Sequence, residues 1–282
     1  MKSLASIFFA LVAISVGGSW LIGSYLIQPA TASVGKAPAD LNAESVEFND
    51  VHGWFIRNGS SHDCILLMHG IRSNRLSMIS RAKFLIKGGY SVFLIDLQAH
   101  GESPGQAISF GLRESKSAHN ALSYLKSNMG CHKVASIGVS LGGAASLLGD
   151  TPLAVDAYIL EAVYPSIEQA IYNRIEMRLG VLARALAPIL YSQIPLRLNI
   201  PLGSLQPKES ILKIKAPVLI IAGTKDQHTT LDESKDLYKS APSPKQLWLV
   251  EGAAHTDFYK YSPQKYESIV LSFLQKHFRG EA

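Results

Sequence analysis

The chain has 282 residues, of which 47% are hydrophobic and 17% charged, and its formal net charge at pH 7 is +5. This composition excludes a disordered chain, supplies enough apolar residues for a large core, and suits one α/β domain of about 250 residues. The lysines and arginines are scattered, without a basic run interleaved with aromatic residues. We therefore predict no nucleic-acid binding.

The first predicted element is an apolar helix near the N-terminus. No charged residue occurs from Leu4 to Ile27, a stretch of 24 residues. As a helix it would measure about 36 Å, against a hydrocarbon core of about 30 Å. We predict that residues 1–27 anchor the chain in a membrane, with Lys2 favouring a domain on the extracytoplasmic side. Ala30-Thr31-Ala32 resembles a signal-peptidase site, so a cleaved signal segment and a secreted protein are the alternative.

Residues 28–44, with two prolines and several alanines, are predicted to be a linker, and residues 45–282 a single α/β domain. In this domain short apolar runs alternate with segments of helical period, which is typical of a mostly parallel sheet of about eight strands covered by helices on both sides. The first two runs alternate apolar and polar residues and are predicted to form an antiparallel hairpin at the sheet edge. The predicted strands are Val46–Phe48, Trp54–Arg57, Cys64–Met68, Ser91–Ile95, Val134–Val139, Ala157–Ala162, Val218–Ala222 and Gln246–Val250. The predicted helices are Ser77–Lys87, Arg113–Asn128, Leu141–Leu148, Leu231–Ser240 and Pro263–Phe278.

One stretch interrupts this alternation. About fifty residues separate the strand ending near Ala162 from the strand at Val218, and apolar residues recur within them near helical spacing. We predict a helical cap inserted at about 165–210, which would form one wall of a substrate pocket; ordinary core helices are the alternative. The arginines of this stretch are interpreted as a solvated helix face, and attraction of an anionic substrate or lipid headgroup is the other interpretation. They are Arg174, Arg178 and Arg184.

Two cysteines, Cys64 and Cys131, are present, and neither has the spacing of a metal or redox motif. Cys64 begins an apolar run and is interpreted as a small hydrophobic residue. A disulfide between the two stays open, because nothing in their spacing requires one.

The strongest chemical motif is Gly138-Val139-Ser140-Leu141-Gly142. It is a G-x-S-x-G sequence that follows a predicted strand and precedes a predicted helix, which is the setting in which such a serine is a nucleophile. The serine must lie on a tight, strained turn so that its hydroxyl projects above the sheet. Glycines on both sides avoid side-chain clashes between the strand and the helix. The sequence therefore predicts Ser140 as a catalytic nucleophile.

A serine nucleophile needs a base, and the base needs an acid that orients it. Asp226 follows the predicted strand Val218–Ala222, and His255 follows the predicted strand Gln246–Val250. The carboxyl ends of parallel strands meet at one edge of a sheet, so we predict that both residues reach Ser140. Two alternatives are weaker: His228 as the base and Glu161 as the acid. The remaining histidines near these loops, His69 and His100, are interpreted as packing or hydrogen-bonding residues.

These residues resemble the α/β-hydrolases over roughly residues 45 to 278. The resemblance is carried by Met68-His69-Gly70, by Asp96 with Ala99-His100-Gly101-Glu102-Ser103, by the Ser140 turn, and by Gly223–Asp226 and Gly252–His255. By appearance the nearest subgroup is the membrane-anchored Bem46-like and dipeptidyl-peptidase-like serine hydrolases. The resemblance implies esterase, thioesterase, lipase or peptidase chemistry. It also implies an oxyanion hole made by the backbone amides of Leu141 and Ile71, although the H-G-G-G form of some lipases is lacking.

The sequence therefore predicts a serine hydrolase that cleaves a carboxylic ester or thioester through an acyl-enzyme intermediate. The expected partners are small acyl substrates, including lipid-like ones, and a membrane at the N-terminal helix. No metal or organic cofactor is implied, and no oligomeric state is predicted. The alternatives are a serine peptidase or an acyltransferase with the same triad, or a non-catalytic binding protein that has kept the fold.

Overall fold

The computed structural model describes residues 16–280, so residues 1–15 of the predicted anchor lie outside the described part. The helices of this part are α1 Val16–Ile27, α2 Ile79–Lys87, α3 Glu114–Ser127, α4 Leu141–Leu147, α5 Ile167–Leu179, α6 Ala183–Tyr191, α7 Gln193–Leu198, α8 Pro207–Ile211, α9 Leu231–Ser240, α10 Phe258–Tyr261 and α11 Pro263–Leu274. The strands are β1 Ala30–Thr31, β2 Glu44–Phe48, β3 Val51–Ile56, β4 Asp63–Met68, β5 Ser91–Ile95, β6 His100–Gly101, β7 Lys133–Val139, β8 Ala157–Glu161, β9 Val218–Gly223 and β10 Lys245–Val250.

An eight-stranded sheet, in the order β10-β9-β8-β7-β4-β5-β3-β2, forms the centre of the domain. The strands from β10 to β5 run parallel to their neighbours, whereas β3 pairs antiparallel with β5 and with β2. The edge hairpin and the mostly parallel sheet of about eight strands are therefore confirmed. The central strands β5, β8 and β9 are buried along their whole length because helices cover both faces.

The cap region between β8 and β9 contains α5, α6 and α7. Together they form the one stretch of the described residues, Ile167–Leu198, that is long and apolar enough to cross a membrane by length and composition. Its buried residues Ala187, Leu190 and Ile194 belong to the core cluster of the domain. This stretch therefore folds as a cap over the sheet.

The segment 28–44, predicted as a linker, lies against the domain in its first half. Strand β1 pairs in parallel with β6, and the amides of Val34 and Gly35 both donate to the carboxylate of Glu102, at 3.0 and 3.1 Å. Immediately before it, the carbonyl of Ile27 accepts a hydrogen bond of 2.8 Å from the amide of Ile108. The chain between the N-terminal helix and the domain is thus held by backbone pairing.

Helix α1 packs on the cap through polar contacts. The Gln193 amide group donates to the Ser19 hydroxyl at 2.6 Å, and the Arg197 guanidinium donates to the Ser24 hydroxyl at 2.9 Å. The same guanidinium lies 3.7 Å from the ring centre of Trp20, a cation–π contact. The last turns of the predicted anchor therefore contact the domain.

A disulfide joins Cys64 and Cys131, whose Cα atoms are 5.8 Å apart. Cys64 is buried in the core cluster, as its interpretation as a small hydrophobic residue predicts, and the disulfide that the sequence left open is present. The neighbouring strands β4 and β7 align Cys64 with Val134, and the turn before β7 brings Cys131 beside them. This proximity is a property of the sheet pairing, which sequence spacing does not encode.

We expect loss of this disulfide to destabilise the fold without altering the candidate site. It closes a loop of 67 residues, for which chain entropy gives about 4 kcal/mol of stabilisation. The double substitution Cys64→Ala and Cys131→Ala should lower the free energy of unfolding by about that amount in urea titrations. Reductant should shift the wild-type midpoint to lower urea and leave the double variant unchanged. Equal midpoints for the oxidised wild type and the variant would contradict the prediction.

Candidate active site

Ser140 lies at the junction between β7 and α4 in a strained backbone conformation. Its φ of 48° and ψ of −104° fall where side chains are rarely found. The strain is held by structure on both sides, because the Ser140 amide donates to the carbonyl of Glu161 at 2.7 Å and α4 starts at the next residue. The side chain is almost buried, with 6% exposure. The predicted nucleophile thus occupies a tight strand-to-helix turn.

The glycines of the motif are required by close backbone approach. A Cβ at Gly138 would lie 2.4 Å from the amide nitrogen of Gly143, and a Cβ at Gly142 would lie 2.4 Å from the carbonyl oxygen of Met68. Both contacts are with backbone atoms that cannot move aside. Helix α4 can therefore pack against β7 and β4 closely enough to hold Ser140 only if these positions lack side chains.

Asp226 and His255 are brought together by the loops that follow β9 and β10. The Nδ1–H of His255 donates to Asp226 Oδ2 at 2.7 Å. The other oxygen of Asp226 accepts hydrogen bonds from the backbone amides of His228 and Thr229, at 2.8 and 3.0 Å. Burial alone raises the pKa of this carboxyl, but the hydrogen bonds and the His255 ring outweigh burial and leave the pKa below its ordinary value. Asp226 is therefore a carboxylate at neutral pH.

The two loops are interlocked, which fixes the pair. The amide of Lys225 donates to the carbonyl of Ala253 at 2.9 Å, and a Cβ at Gly223 would lie 2.4 Å from the same carbonyl oxygen. Because β7, β9 and β10 are parallel, Ser140 and this pair leave the sheet at the same edge. Within residues 16–280, neither the Ser140 hydroxyl nor His255 Nε2 makes a hydrogen bond. Such bonds often tighten only when substrate binds.

His228 stacks on the imidazole of His255, and it is the His255 ring that hydrogen-bonds to Asp226. The two rings are stacked, with centres 4.8 Å apart and planes inclined by 26°. Burial and the neighbouring His255 lower the pKa of His228, so this ring is neutral at pH 7. Its carbonyl accepts a hydrogen bond of 3.2 Å from the side chain of Asn173 on cap helix α5. The cap thereby holds the loop that carries Asp226.

Glu161, the alternative acid, is fully engaged elsewhere. Its carboxylate accepts hydrogen bonds from the guanidinium of Arg81, at 2.6 and 3.0 Å, and from the hydroxyl of Tyr266 at 2.5 Å. Arg81 in turn also contacts Asp257 at 2.9 Å. Within the described residues no hydrogen bond joins Glu161 to His255, whose Nδ1 is bonded to Asp226.

The predicted oxyanion-hole residues both line a cavity beside Ser140. Leu141 is the first residue of α4, and the first amides of a helix have no partner within it. Within the described residues no hydrogen bond uses the amide of Leu141 or of Ile71. Neither amide therefore has a partner in the described part of the chain, which leaves both free to donate.

His69 holds the loop that carries Ile71. Its Nδ1–H donates to the carbonyl of Gly70 at 2.7 Å, and its Nε2 accepts from the amide of Leu97 at 3.1 Å. The ring is fully buried, and burial lowers its pKa to about 3. His100 lies beside it with ring centres 5.2 Å apart, also buried and with a lowered pKa. Both histidines are neutral groups of the turns next to the site.

The cavity beside Ser140 is narrow, with a volume of about 60 Å³. Its walls come from five parts of the chain: Leu26 of α1, Ile71, Phe110, Leu141 and, on the cap, Ile171. A larger cavity of about 860 Å³ lies elsewhere and is lined mainly by polar residues, none of which belongs to the predicted triad. The smaller cavity is the candidate substrate pocket because it adjoins Ser140, although the other cavity is larger.

Leu26 contributes to this cavity and was not found from the sequence. It belongs to the predicted anchor, and no sequence signal connects it with a pocket. Arg174 was interpreted as part of a solvated helix face, with attraction of an anionic substrate or lipid headgroup as the alternative. It is partly buried and lines the cavity. Helical spacing from Ala170 and Ile171 could have indicated this position, because residues three and four apart share a face. Within residues 16–280 no group of three His, Cys, Asp or Glu side chains could hold a metal ion.

Comparison with known proteins supports the architecture. No family model matches the chain. The uncharacterized protein YqkD of Bacillus subtilis is 24% identical over 229 residues, which cover 80% of this chain and 75% of that protein. Among solved structures, an esterase of Pyrococcus furiosus superposes with a TM-score of 0.74 at 22% identity, covering 89% of this chain and 98% of the other. The α/β hydrolase GrgF from a Penicillium species superposes with a TM-score of 0.62 at 17% identity, over 84% and 98% of the two chains.

The protein therefore has the α/β-hydrolase fold that the resemblance in the sequence implies. The relatives support no assignment beyond the fold. Ser140, Asp226 and His255 all follow strands that end at the same edge of this sheet.

We expect His69 to make the fold acid-sensitive. The unfolded chain binds a proton at this residue near pH 6.5, whereas the folded state does so only near the lowered pKa of about 3. The stabilisation from the neutral ring is thus fully present above pH 6.5 and is lost as the pH falls toward 3. This one group should contribute a slope of up to about 1.4 kcal/mol per pH unit. In urea titrations between pH 6 and 4, His69→Gln should show a shallower decline than the wild type.

The exposed histidine variant His62→Gln is the matched control for this experiment. An unchanged slope in His69→Gln, measured on folded protein, would mean that other groups account for the acid sensitivity.

Proposed function

We propose that the protein is a serine hydrolase that cleaves carboxylic esters or thioesters. The observation that carries this proposal is the Asp226–His255 hydrogen bond of 2.7 Å at the sheet edge where the strained Ser140 turn emerges. A second line of support is that one of the structural neighbours is named as an esterase. The available amides of Leu141 and Ile71 supply the remaining component of acyl-transfer chemistry.

In the first half of the proposed reaction, His255 Nε2 takes the proton of the Ser140 hydroxyl while Oγ bonds to the carbonyl carbon. The electron pair of the carbonyl double bond moves to the oxygen, which the amides of Leu141 and Ile71 stabilise. Asp226 keeps Nδ1 protonated and stabilises the imidazolium. Collapse of the tetrahedral species breaks the bond to the leaving group, which receives the proton from Nε2 and departs as an alcohol or thiol.

In the second half, a water molecule gives a proton to His255 Nε2 and bonds to the acyl carbon. Collapse then breaks the bond from this carbon to Ser140 Oγ, and the serine recovers its proton from Nε2. The product is a carboxylic acid, and the enzyme is restored. An alcohol or amine in place of water would give acyl transfer instead, so the acceptor decides between these outcomes.

The narrow cavity favours small acyl groups. A volume of about 60 Å³ is well below the 300–1,000 Å³ of sites that enclose drug-sized ligands. The apolar walls formed by Leu26, Ile71 and Ile171 suit a short hydrocarbon chain. A long acyl chain would require the cap or α1 to move outward.

We also propose that the N-terminal helix is retained and holds the domain at a membrane surface. Removal of residues 1–32 at the Ala30-Thr31-Ala32 sequence would take away β1, the contacts of α1 with the cap, and the cavity wall at Leu26. The residues from Ser19 onward contact the domain, which leaves 15 uncharged residues from Leu4 to Gly18, or about 22 Å if helical. The domain would therefore lie close to the bilayer. The disulfide favours the extracytoplasmic side, because disulfides persist in oxidising compartments.

The triad assignment is tested by labelling and by hydrolysis. Ser140→Ala should abolish labelling by a fluorophosphonate probe and lower kcat for 4-nitrophenyl butyrate by roughly 10⁴-fold or more, because the nucleophile is lost. Asp226→Asn should retain the probe site but lower kcat by roughly 10³- to 10⁴-fold, because the carboxylate no longer orients the imidazole. Ser136→Ala is the control. It makes the same change on β7, the strand that leads to Ser140, at a buried hydroxyl that has no hydrogen-bond partner within the described residues.

Persistent labelling of Ser140→Ala, or equal losses in Ser136→Ala, would refute the assignment. Labelling that depends on Ser140 without ester hydrolysis would redirect the search to aminoacyl anilides and to alcohol acceptors. Absence of both labelling and hydrolysis in the wild type would favour a binding protein.

The retained anchor predicts a membrane-bound mature chain. After expression of the full chain in cells, the protein should remain in the membrane fraction through an alkaline carbonate wash. Mass spectrometry of that fraction should find peptides that begin before Ala30. A mature N-terminus at Ser33 in a soluble fraction would establish the secreted alternative.

A further inference from the structure

One charged side chain stands out in the cavity beside Ser140. Of the described residues that line this cavity, Arg174 alone carries a charge, and most of its neighbours are apolar. Arg174 lies on cap helix α5, one turn after Ala170, which also lines the cavity. A cation in a small apolar pocket next to a nucleophile requires a physical reason.

Arg174 has few partners in the protein. One guanidinium nitrogen, Nη1, donates to the carbonyl of Ala170 on its own helix at 2.7 Å. Within residues 16–280 no carboxylate lies within 4.0 Å of this guanidinium, and no other hydrogen bond uses it. Since a guanidinium carries five N–H donors, most of them are left for a ligand.

Two fully buried arginines of the domain are each paired with carboxylates. Arg75 contacts both Asp96 and Glu102, and Arg81 contacts both Glu161 and Asp257. Each of these buried cations thus has two carboxylates of its own. Arg174 differs because it is only partly buried and has no salt bridge to a carboxylate within residues 16–280.

The two carboxyl groups whose charges act on Arg174 already have hydrogen-bond partners. Asp226 holds His255, and Glu233 accepts hydrogen bonds of 2.8 and 2.9 Å from the side chain of Asn173. Burial lowers the pKa of Arg174, which reflects its partial removal from water, but the group remains charged. A half-buried cation that has no salt bridge of its own is stabilised when a ligand supplies an anion.

We propose that Arg174 binds an anionic group of the substrate, so that the enzyme acts on small-acyl esters that carry a carboxylate or a phosphate. This inference rests on the proposed serine hydrolase function. The planar guanidinium matches either anion through paired N–H donors. Because Arg174 and Ser140 line the same cavity, the anion and the scissile carbonyl belong to one small molecule.

The test compares neutral esters with esters that carry an anionic group on the same acyl or phenol framework. Methyl 4-(butyryloxy)benzoate is neutral, 4-(butyryloxy)benzoate carries a carboxylate, and 4-(butyryloxy)phenyl phosphate carries a phosphate, all on the leaving group. The mono-4-nitrophenyl ester of glutaric acid against 4-nitrophenyl pentanoate places the carboxylate on the acyl side. The readout for each pair is the ratio of kcat/KM for the anionic ester to kcat/KM for its neutral match.

We expect the wild type to favour the anionic member of at least one pair. Arg174→Gln should lower that ratio about 10- to 100-fold, as expected for loss of hydrogen bonds to a charged group. Arg174→Lys should lie between the two, because an ammonium keeps the charge but not the paired donors. The pair in which the effect appears identifies the anion and the side of the scissile bond.

Arg178→Gln is the matched control, because it removes the same charge one turn further along α5 from an exposed position outside the cavity. Equal ratios in the wild type, Arg174→Gln and Arg178→Gln would overturn the inference. If Ser140-dependent hydrolysis of the neutral esters persists in that case, the proposed function stands. If the wild type shows neither hydrolysis nor probe labelling, the proposed function fails as well.

Discussion

The site depends on a backbone crossing that leaves no room for side chains. Between β7 and α4 the chain turns at Ser140, and Gly138 and Gly142 let the helix approach the sheet to within backbone contact. A serine in this conformation costs about 1–3 kcal/mol, which the packing on both sides must offset. That packing comes from the centre of the sheet, where β7 lies between β4 and β8. The same packing therefore stabilises the core and fixes the position of Ser140.

The second part of the site is built from elements that interlock. The loops after β9 and β10 share backbone hydrogen bonds, and the acid loop is held from above by Asn173 of the cap. The cap is thus more than a pocket wall, because it also restrains Asp226 through the backbone of His228. Helix α1 completes the arrangement by packing on the cap and contributing Leu26 to the cavity. Movements of the cap, the N-terminal helix and the acid loop should consequently be coupled.

Buried cations and histidines in this fold have partners. Buried arginines lie between pairs of carboxylates, and buried histidines stay neutral with hydrogen bonds to backbone groups. These arrangements satisfy groups that would otherwise be costly to remove from water. Arg174, which is only partly buried, lines the cavity next to Ser140 without a salt bridge in the described part of the chain. Such a charge beside a candidate site is expected where binding or catalysis, rather than stability, determines the residue.

The sequence by itself determined the sheet, its edge hairpin, the helices that cover it and the order of Ser140, Asp226 and His255 along the chain. These features are local, because periodicity, glycine spacing and strand ends can be recognised within a few residues. The tertiary structure decided what depends on distant contacts: the Cys64–Cys131 pairing, the stacking of His228 on His255, and the placement of Leu26 and Arg174 in one cavity. Each of these three features joins parts of the chain that sheet order and cap packing bring together. None of them is encoded in the spacing of the residues involved.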